Sequence, residues 1–338
     1  MVQQELDGST PSQDESRITS KSGYFVGVDI GGTNLRLALA DSDGTILARS
    51  STSTVGVRDA ALIVHLIRDG VDALVTELSL SFDSVLALAA GAPGITDPNE
   101  GVVIATSYLM GWNNVPLRTM LEDACGVPAA VDNDVNLAAL GESASGAARG
   151  INNFVFIAIG TGIGAGIVLN GQLFRGNAWS AGEIGYMLVP GTSEQPAERD
   201  KPGALEEMAG GEGAKTQWRN RWHESRTSLP EDALATEIFD HAVEGNVLAQ
   251  EVLELSARTL AYAIHNIWLV LNCDLFVLGG SVGLHQALIE ATGRVLATRS
   301  NRAQPRLVGS LLGPDAQLMG AIFLAIETAK TRVLAAAS

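Results

Sequence analysis

Phe154-Val155-Phe156-Ile157-Ala158-Ile159-Gly160-Thr161-Gly162-Ile163-Gly164-Ala165-Gly166-Ile167-Val168-Leu169-Asn170 is an apolar run that enters a Gly-Thr-Gly turn and an apolar run that leaves it. The length and β-branched content of both runs predict strands. The glycines permit tight backbone angles and close approach of a ligand to the main chain. Successive N–H groups in such a turn form a concave anion site, and Thr161 adds a hydroxyl. Two readings stay open at this point: a phosphate cradle between strands, or an ordinary glycine-rich hairpin.

The same arrangement recurs near the other end. Tyr24 to Ile30 leads into Gly31-Gly32-Thr33, and Asn34 to Asp41 follows with Leu35, Leu37 and Leu39 alternating with Arg36, Ala38 and Ala40. A dinucleotide fingerprint or a P-loop runs from strand into helix, and a P-loop needs a lysine that is missing here. Two strand–glycine–strand units in one chain predict two related half-molecules that face a nucleotide between them.

Length and composition bound the rest. A chain of 338 residues suits two domains, and 46% hydrophobic content supplies a sizeable interior. The net charge of −16 weighs against nucleic acid or an anionic membrane as the main partner. No apolar run suits a bilayer span. The polar N-terminus, Met1 to Ser22, lacks an apolar signal core and reads as a disordered tail on a cytoplasmic protein. Cys125 and Cys273 make no metal spacing and read as buried thiols. His65, His223, His241, His265 and His285 are scattered without ligand spacing.

Between the glycine turns, apolar periodicity predicts a helix over 59–80 and a buried strand over 85–90. The strand ends in Gly91-Ala92-Pro93-Gly94, followed by a loop over 111–116. A strand ends in Val131-Asp132-Asn133-Asp134, and a helix follows from Val135 with Asn133 or Asp132 as its cap. Helices are predicted over 204–218, 234–244 and 247–272. A third glycine turn, Gly279-Gly280-Ser281-Val282-Gly283, follows a strand, and a last helix covers 316–330. This alternation is α/β, with a mixed sheet in each half.

Four carboxylates stand at informative places. Asp134 lies at a strand end in the first turn of a helix, where it could take a proton from a substrate hydroxyl or simply help the helix start. Asp29 precedes the first glycine turn and is either a Mg²⁺ partner or a buried acid bonded to amides. Glu183 sits between Gly182 and Gly185, as a sugar ligand or a solvated loop charge. Glu206 is near a helix start, where the helix dipole alone explains an acid.

At this point the chain resembles the ROK family (repressor, open reading frame, kinase) of sugar kinases and sugar-responsive repressors. The resemblance covers roughly residues 24–330. It rests on Val28-Asp29-Ile30-Gly31-Gly32-Thr33-Asn34; on Asp132-Asn133-Asp134-Val135-Asn136 with Ala138-Ala139 and Gly141-Glu142; on Ile159 to Gly166; and on Gly182-Glu183-Ile184-Gly185. It implies the actin-like ATPase fold: two ribonuclease-H-like domains with a nucleotide and sugar cleft between them. The implied domains are 23–133, joined by the C-terminal helix 315–332, and 134–314. The implied reaction moves the γ-phosphoryl group of ATP, with Mg²⁺, to a sugar hydroxyl.

Carried over by position, Asp134 matches the catalytic base, and Asn133, Glu183 and Glu206 match sugar ligands. Gly31, Gly32, Thr33 and Asn34, with Thr161 and Gly162, match the phosphate loops, and Gly279 and Gly280 the adenosine side. Many family kinases hold a structural zinc with one histidine and three cysteines. Here Tyr186 takes the histidine's place, Ala204 that of a cysteine, and no Cys or His lies between 186 and 206. No such zinc is expected, and the loop from Val189 to Gly203 must hold its shape otherwise. Tyr108 falls near a common asparagine. The short N-terminus is too small for a helix-turn-helix. A homodimer is an expectation from the resemblance. Two alternatives accompany the kinase: a non-catalytic sugar sensor on the same fold, and a kinase that uses polyphosphate as donor.

Overall fold

The computed structural model describes residues 23–106, 109, 111–192, 201–223, 227–299 and 304–337. The expected tail 1–22, Tyr108 and part of the 189–203 loop lie outside them.

Tyr24–Ile30 (β1) pairs antiparallel with Asn34–Ala40 (β2), which puts Asp29 opposite Arg36. Ile46–Ser53 (β3) extends the sheet beyond β2. After helix α1 (Ala60–Glu77), the strand Val85–Ala92 (β4) lies parallel to β1. Three short strands, Ile95–Asp97 (β5), Val102–Ala105 (β6) and Asn113–Val115 (β7), make a small antiparallel sheet of their own. Helix α2 (Leu117–Cys125) leads to Ala129–Asn133 (β8), parallel to β4. The first large sheet therefore has the order β3-β2-β1-β4-β8.

Helix α3 (Asp134–Ser145) starts directly where β8 stops. Phe154–Ile159 (β9), Ile163–Leu169 (β10) and Gln172–Leu173 (β11) form an antiparallel meander. The helices Glu206–Ala209 (α4), Gly211–Arg219 (α5), Ala235–Val243 (α6) and Val247–Leu271 (α7) follow. Leu275–Gly279 (β12) lies parallel to β9, and after Gly280–Gly283 (α8) and Gln286–Ala297 (α9), Arg306–Gly309 (β13) lies parallel to β12. The second sheet has the order β11-β10-β9-β12-β13, the same path as the first. The repeated strand–glycine–strand units are the first hairpin of each sheet, as the sequence predicted.

Apolar patterning explains the layers. Strands β1 and β4 are buried along almost their whole length, which requires cover on both faces. One face is covered by α1 through Ile63, Ile67, Val71 and Leu74. The other is covered by the C-terminal helix α10 (Ala316–Ala337) through Leu318, Ile322, Ala325 and Ile326. Helix α3 covers one face of the second sheet, against Phe154 and Phe156, and α7 lies in the core on the opposite face with Phe276 and Leu278. Helices α3 and α10 cross at glycines: a Cβ on Gly320 would fall 1.8 Å from the Leu137 carbonyl, and one on Gly141 2.3 Å from that of Ala316.

Two sequence expectations need correcting. The loop expected over 111–116 contains β7, a strand of three residues, too short for an alternation to register. The helix expected over 204–218 is broken at Gly210 into α4 and α5. The break is imposed by the Gly160 turn, against which Gly210 and Gly211 pack. Both cysteines are free and buried, as expected. Among the described residues no helix is long and apolar enough to cross a membrane.

Candidate active site

The residues singled out in the sequence gather at the carboxyl ends of β1, β4 and β8 and of β9 and β12. Strand register puts Asp29, Gly91 and Asp132 in one row across the first sheet. Gly91 has no side chain, and a Cβ there would stand 3.4 Å from the Cα of Asp134. That gap lets the start of α3 sit over the sheet beside Asp29.

Asn133 is the cap of α3. Its Oδ1 accepts from the N–H groups of Val135 (2.9 Å) and Asn136 (3.0 Å), and its Nδ2 donates to the Gly94 carbonyl at 2.9 Å. This satisfies helix-start donors that would otherwise lack partners. Asp134 is the first helical residue, with Oδ1 accepting from the Val135 N–H at 2.9 Å. Its carboxyl is pushed up to about 7, first by burial, then by the negative charges of Asp29 and, more weakly, Glu183; the Val135 N–H opposes the shift. Desolvation thus outweighs the helix N-terminus, which favours the anion.

Asp29 is buried, which pushes its carboxyl up, while Arg36 pulls it back. Arg36 donates to Asp29 Oδ2 through Nε (2.9 Å) and Nη2 (2.5 Å), and through Nη1 to the Pro314 carbonyl at 2.7 Å. Glu183 is exposed, yet partial burial of its carboxyl and then the neighbouring Glu206 push that carboxyl up. Glu206 accepts from the Ile163 N–H and the Gly203 N–H, both at 3.2 Å. Tyr186 follows Glu183 in a short 3₁₀ turn and is 48% exposed.

The glycine turns are held by main-chain bonds. Gly31 N–H donates to the Asn34 carbonyl (2.9 Å), and Thr54 donates to the carbonyls of Thr33 (N–H, 2.9 Å) and Gly31 (Oγ1, 3.0 Å). Gly32 is half-buried, and Thr33 and Asn34 are exposed. In the second turn the carbonyls of Gly160 and Thr161 accept from Gly211 and Glu212 at the start of α5 (2.8 and 3.3 Å). The third turn abuts the second: a Cβ on Gly280, which has φ +80°, would lie 2.4 Å from the Ile159 carbonyl, and one on Gly279 would strike the Phe156 ring. Thr161, Gly162, Gly279 and Gly280 are thus brought together, while electrostatic coupling links Asp29 and Glu183 to Asp134, and Glu206 to Glu183, with Asn133 adjoining Asp134 in the chain.

With this geometry in view, comparison with known proteins is decisive on family. The family model described as "ROK family" matches residues 25–328. The chain belongs to the ROK family. Among its ROK relatives, the glucokinase of Halalkalibacterium halodurans is 34% identical over 266 residues, spanning 77% of this chain and 80% of that protein. An N-acetylmannosamine kinase of Escherichia coli O7:K1 is 32% identical over 300 residues, 88% of this chain and 97% of that one. A ROK family glucokinase from Streptomyces griseus, solved in complex with glucose and AMPPNP, superimposes with a TM-score of 0.77 at 26% identity, covering 90% of this chain and all of that one. The fold is the actin-like ATPase fold of these ROK structures.

In this ROK chain the base of the 189–203 loop is held by hydrogen bonds. Leu205 N–H donates to the Gly185 carbonyl (3.0 Å), Thr192 caps Val189, and Gly203 lies so close to Gly185 that a Cβ would fall 2.3 Å from its carbonyl oxygen. Two contributors were not singled out from the sequence: Arg36 as partner of Asp29, and Arg175. An arginine among the leucines and alanines of β2 was the available signal for Arg36. Arg175 bonds a residue 43 positions away, which no local pattern reveals.

Proposed function

We propose that this protein transfers the γ-phosphoryl group of ATP to a hydroxyl of a hexose or related sugar, with Asp134 as general base. The observation that carries the reading is the placement of Asp134: it is the first residue of α3, directly where β8 ends, with its carboxyl pushed up to about 7 by burial and by the charges of Asp29 and Glu183. A base poised near the working pH combines a useful fraction of anion with real proton affinity. Asp134 takes the hydroxyl proton as that oxygen attacks the γ-phosphorus in line, and ADP leaves.

The sugar is oriented by Asn133, Glu183, Tyr186 and Glu206. Asn133 spends its oxygen on the helix cap, so it offers the sugar its second Nδ2 hydrogen. Glu206 is held in place by the Ile163 and Gly203 N–H groups, one on each carboxylate oxygen. The turns at Gly31–Asn34 and Thr161–Gly162 cradle phosphates, and Gly279–Gly280 borders the adenosine. Asp29 is the residue that would hold magnesium. Both Arg36 bonds fall on its Oδ2, and one carboxylate plus phosphates and water suits this ion, which keeps much of its hydration. Magnesium would supply charge neutralisation on the phosphates. The domain boundary is proposed at Asn133/Asp134, where β8 passes into α3.

The relatives' glucokinase and N-acetylmannosamine kinase activities support the class of reaction and leave the sugar to be found. Tyr186 in place of the family histidine favours, as the second reading, a sensor that binds sugar without turnover. The test is ADP release from ATP with Mg²⁺ over a panel of hexoses and N-acylated hexosamines. Sugar-dependent ADP release is expected; stabilisation by a sugar without ADP release would instead support the sensor, and release from polyphosphate alone would change the donor.

A further inference from the structure

Arg175 begins the loop that returns from β11 to Glu183. Its carbonyl accepts the Ala181 N–H at 3.2 Å and closes that loop. Gly182 then anchors the next step: its carbonyl accepts from Ala165 (2.8 Å) and Ile184 (2.7 Å), and at φ +100° a Cβ would fall 1.9 Å from the Ala165 carbonyl. Glu183 therefore projects from a short segment with both ends fixed.

The side chain of Arg175 reaches the other half of the molecule. Its Nε and Nη2 both donate to Asp132 Oδ2, at 3.0 and 2.5 Å. Asp132 Oδ1 accepts from the Asn133 N–H at 2.8 Å and from Asn136 Nδ2 at 3.1 Å. Asp132 is 1% exposed, so it does not meet a ligand itself. Its four donors come from the Glu183 loop, from the residue beside Asp134, and from the first turn of α3. We infer that Arg175 is a positioning residue for the sugar side of the site: through Asp132 it sets the Glu183 loop against the strand end that carries Asn133 and Asp134.

Stability alone is a poor reason for such a pair. Desolvation of two charges offsets most of their attraction, and apolar substitutes often serve as well. A planar fork on a carboxylate does fix orientation, which a lysine ammonium cannot reproduce. Small misplacements of reacting groups are costly, up to roughly 10²-fold in rate for about 1 Å.

This inference rests on the proposed sugar site, and the experiment separates the two. Arg175→Lys keeps the charge and removes the fork. It is expected to lower kcat/KM for the sugar by roughly 10–100-fold, while KM for ATP stays within about twofold. If Arg175→Lys does not fold, the uncharged pair Asp132→Asn with Arg175→Gln carries the same expectation. A folded variant with wild-type kcat/KM for sugar, or with equal losses toward sugar and ATP, overturns the positioning role. A wild type that binds sugar without turnover removes the kinase reading alone, and the same comparison is then made on sugar Kd by calorimetry. A wild type that neither binds nor turns over any sugar of the panel overturns both.

Discussion

Asp134 shows a single residue serving two demands that conflict. As a carboxyl at a helix start it belongs to the local structure, and as a partly buried acid that feels the charge of Asp29 its carboxyl is pushed up to about 7. That value lies above the unfolded range near ~3.9, so the native state binds more protons than the unfolded chain. Its contribution to stability is full below about pH 4 and is lost as pH rises through about 7. Asp134→Asn removes that loss, so its melting temperature is expected to equal or exceed the wild type's above about pH 8, while the order reverses or closes near about pH 4. Thermal melts across pH check this, and a variant clearly less stable in alkali would contradict it. On the proposed mechanism the same value governs the rate: wild-type kcat/KM is expected to climb with pH and level off above about 7, as Asp134 loses its proton. Tyr186, half-exposed beside Glu183, carries a phenol where the family histidine is common. Tyr186→Phe is expected to change the ratio of kcat/KM between sugar epimers and leave KM for ATP alone; steady-state kinetics with equal effects on both would place the residue away from the sugar. Asp134 and Glu183 were legible in the sequence because each sits in a punctuated local pattern. Arg175 was not, because its partner is distant in the chain.

At the scale of elements, glycines decide how closely the pieces approach. The crossing of α3 and α10 brings Gly141 and Gly320 against opposing backbone, and Glu142 on α3 accepts from Ala147 (2.6 Å) and Leu312 (3.1 Å) N–H groups and from the Ser310 hydroxyl. Gly320→Ala puts a methyl 1.8 Å from the Leu137 carbonyl, where backbone cannot yield cheaply. It is expected to cost about 1–3 kcal/mol, read as a lowered denaturation midpoint at unchanged slope. A neutral effect would mean that the helices do not cross as closely as described. Long elements such as α1 and α7 were legible from their periodicity. The split at Gly210 was not, because it follows from contact with the Gly160 turn, and β5 to β7 are too short to carry a period.

For the whole molecule, the informative feature of the sequence was repetition. Two strand–glycine–strand units predicted two sheets of one topology, and both have the same strand order. How the carboxylates of the first sheet meet the loops of the second depends on the way the halves pack, which no single segment records. The 189–203 loop is tied at its base by Leu205, Gly203 and Glu206. Elemental analysis is therefore expected to find no stoichiometric zinc, and a tightly held ion near one per chain would contradict that. The central claim is that a phosphoryl group moves to a sugar oxygen deprotonated by Asp134. Its most direct test is kcat for Asp134→Asn beside the wild type on the best sugar of the panel, with binding of sugar and ATP verified by calorimetry. A fall of ~10²–10⁴-fold with both ligands still bound is expected for loss of a general base; a variant that binds both and keeps near-wild-type kcat would contradict the role assigned to Asp134.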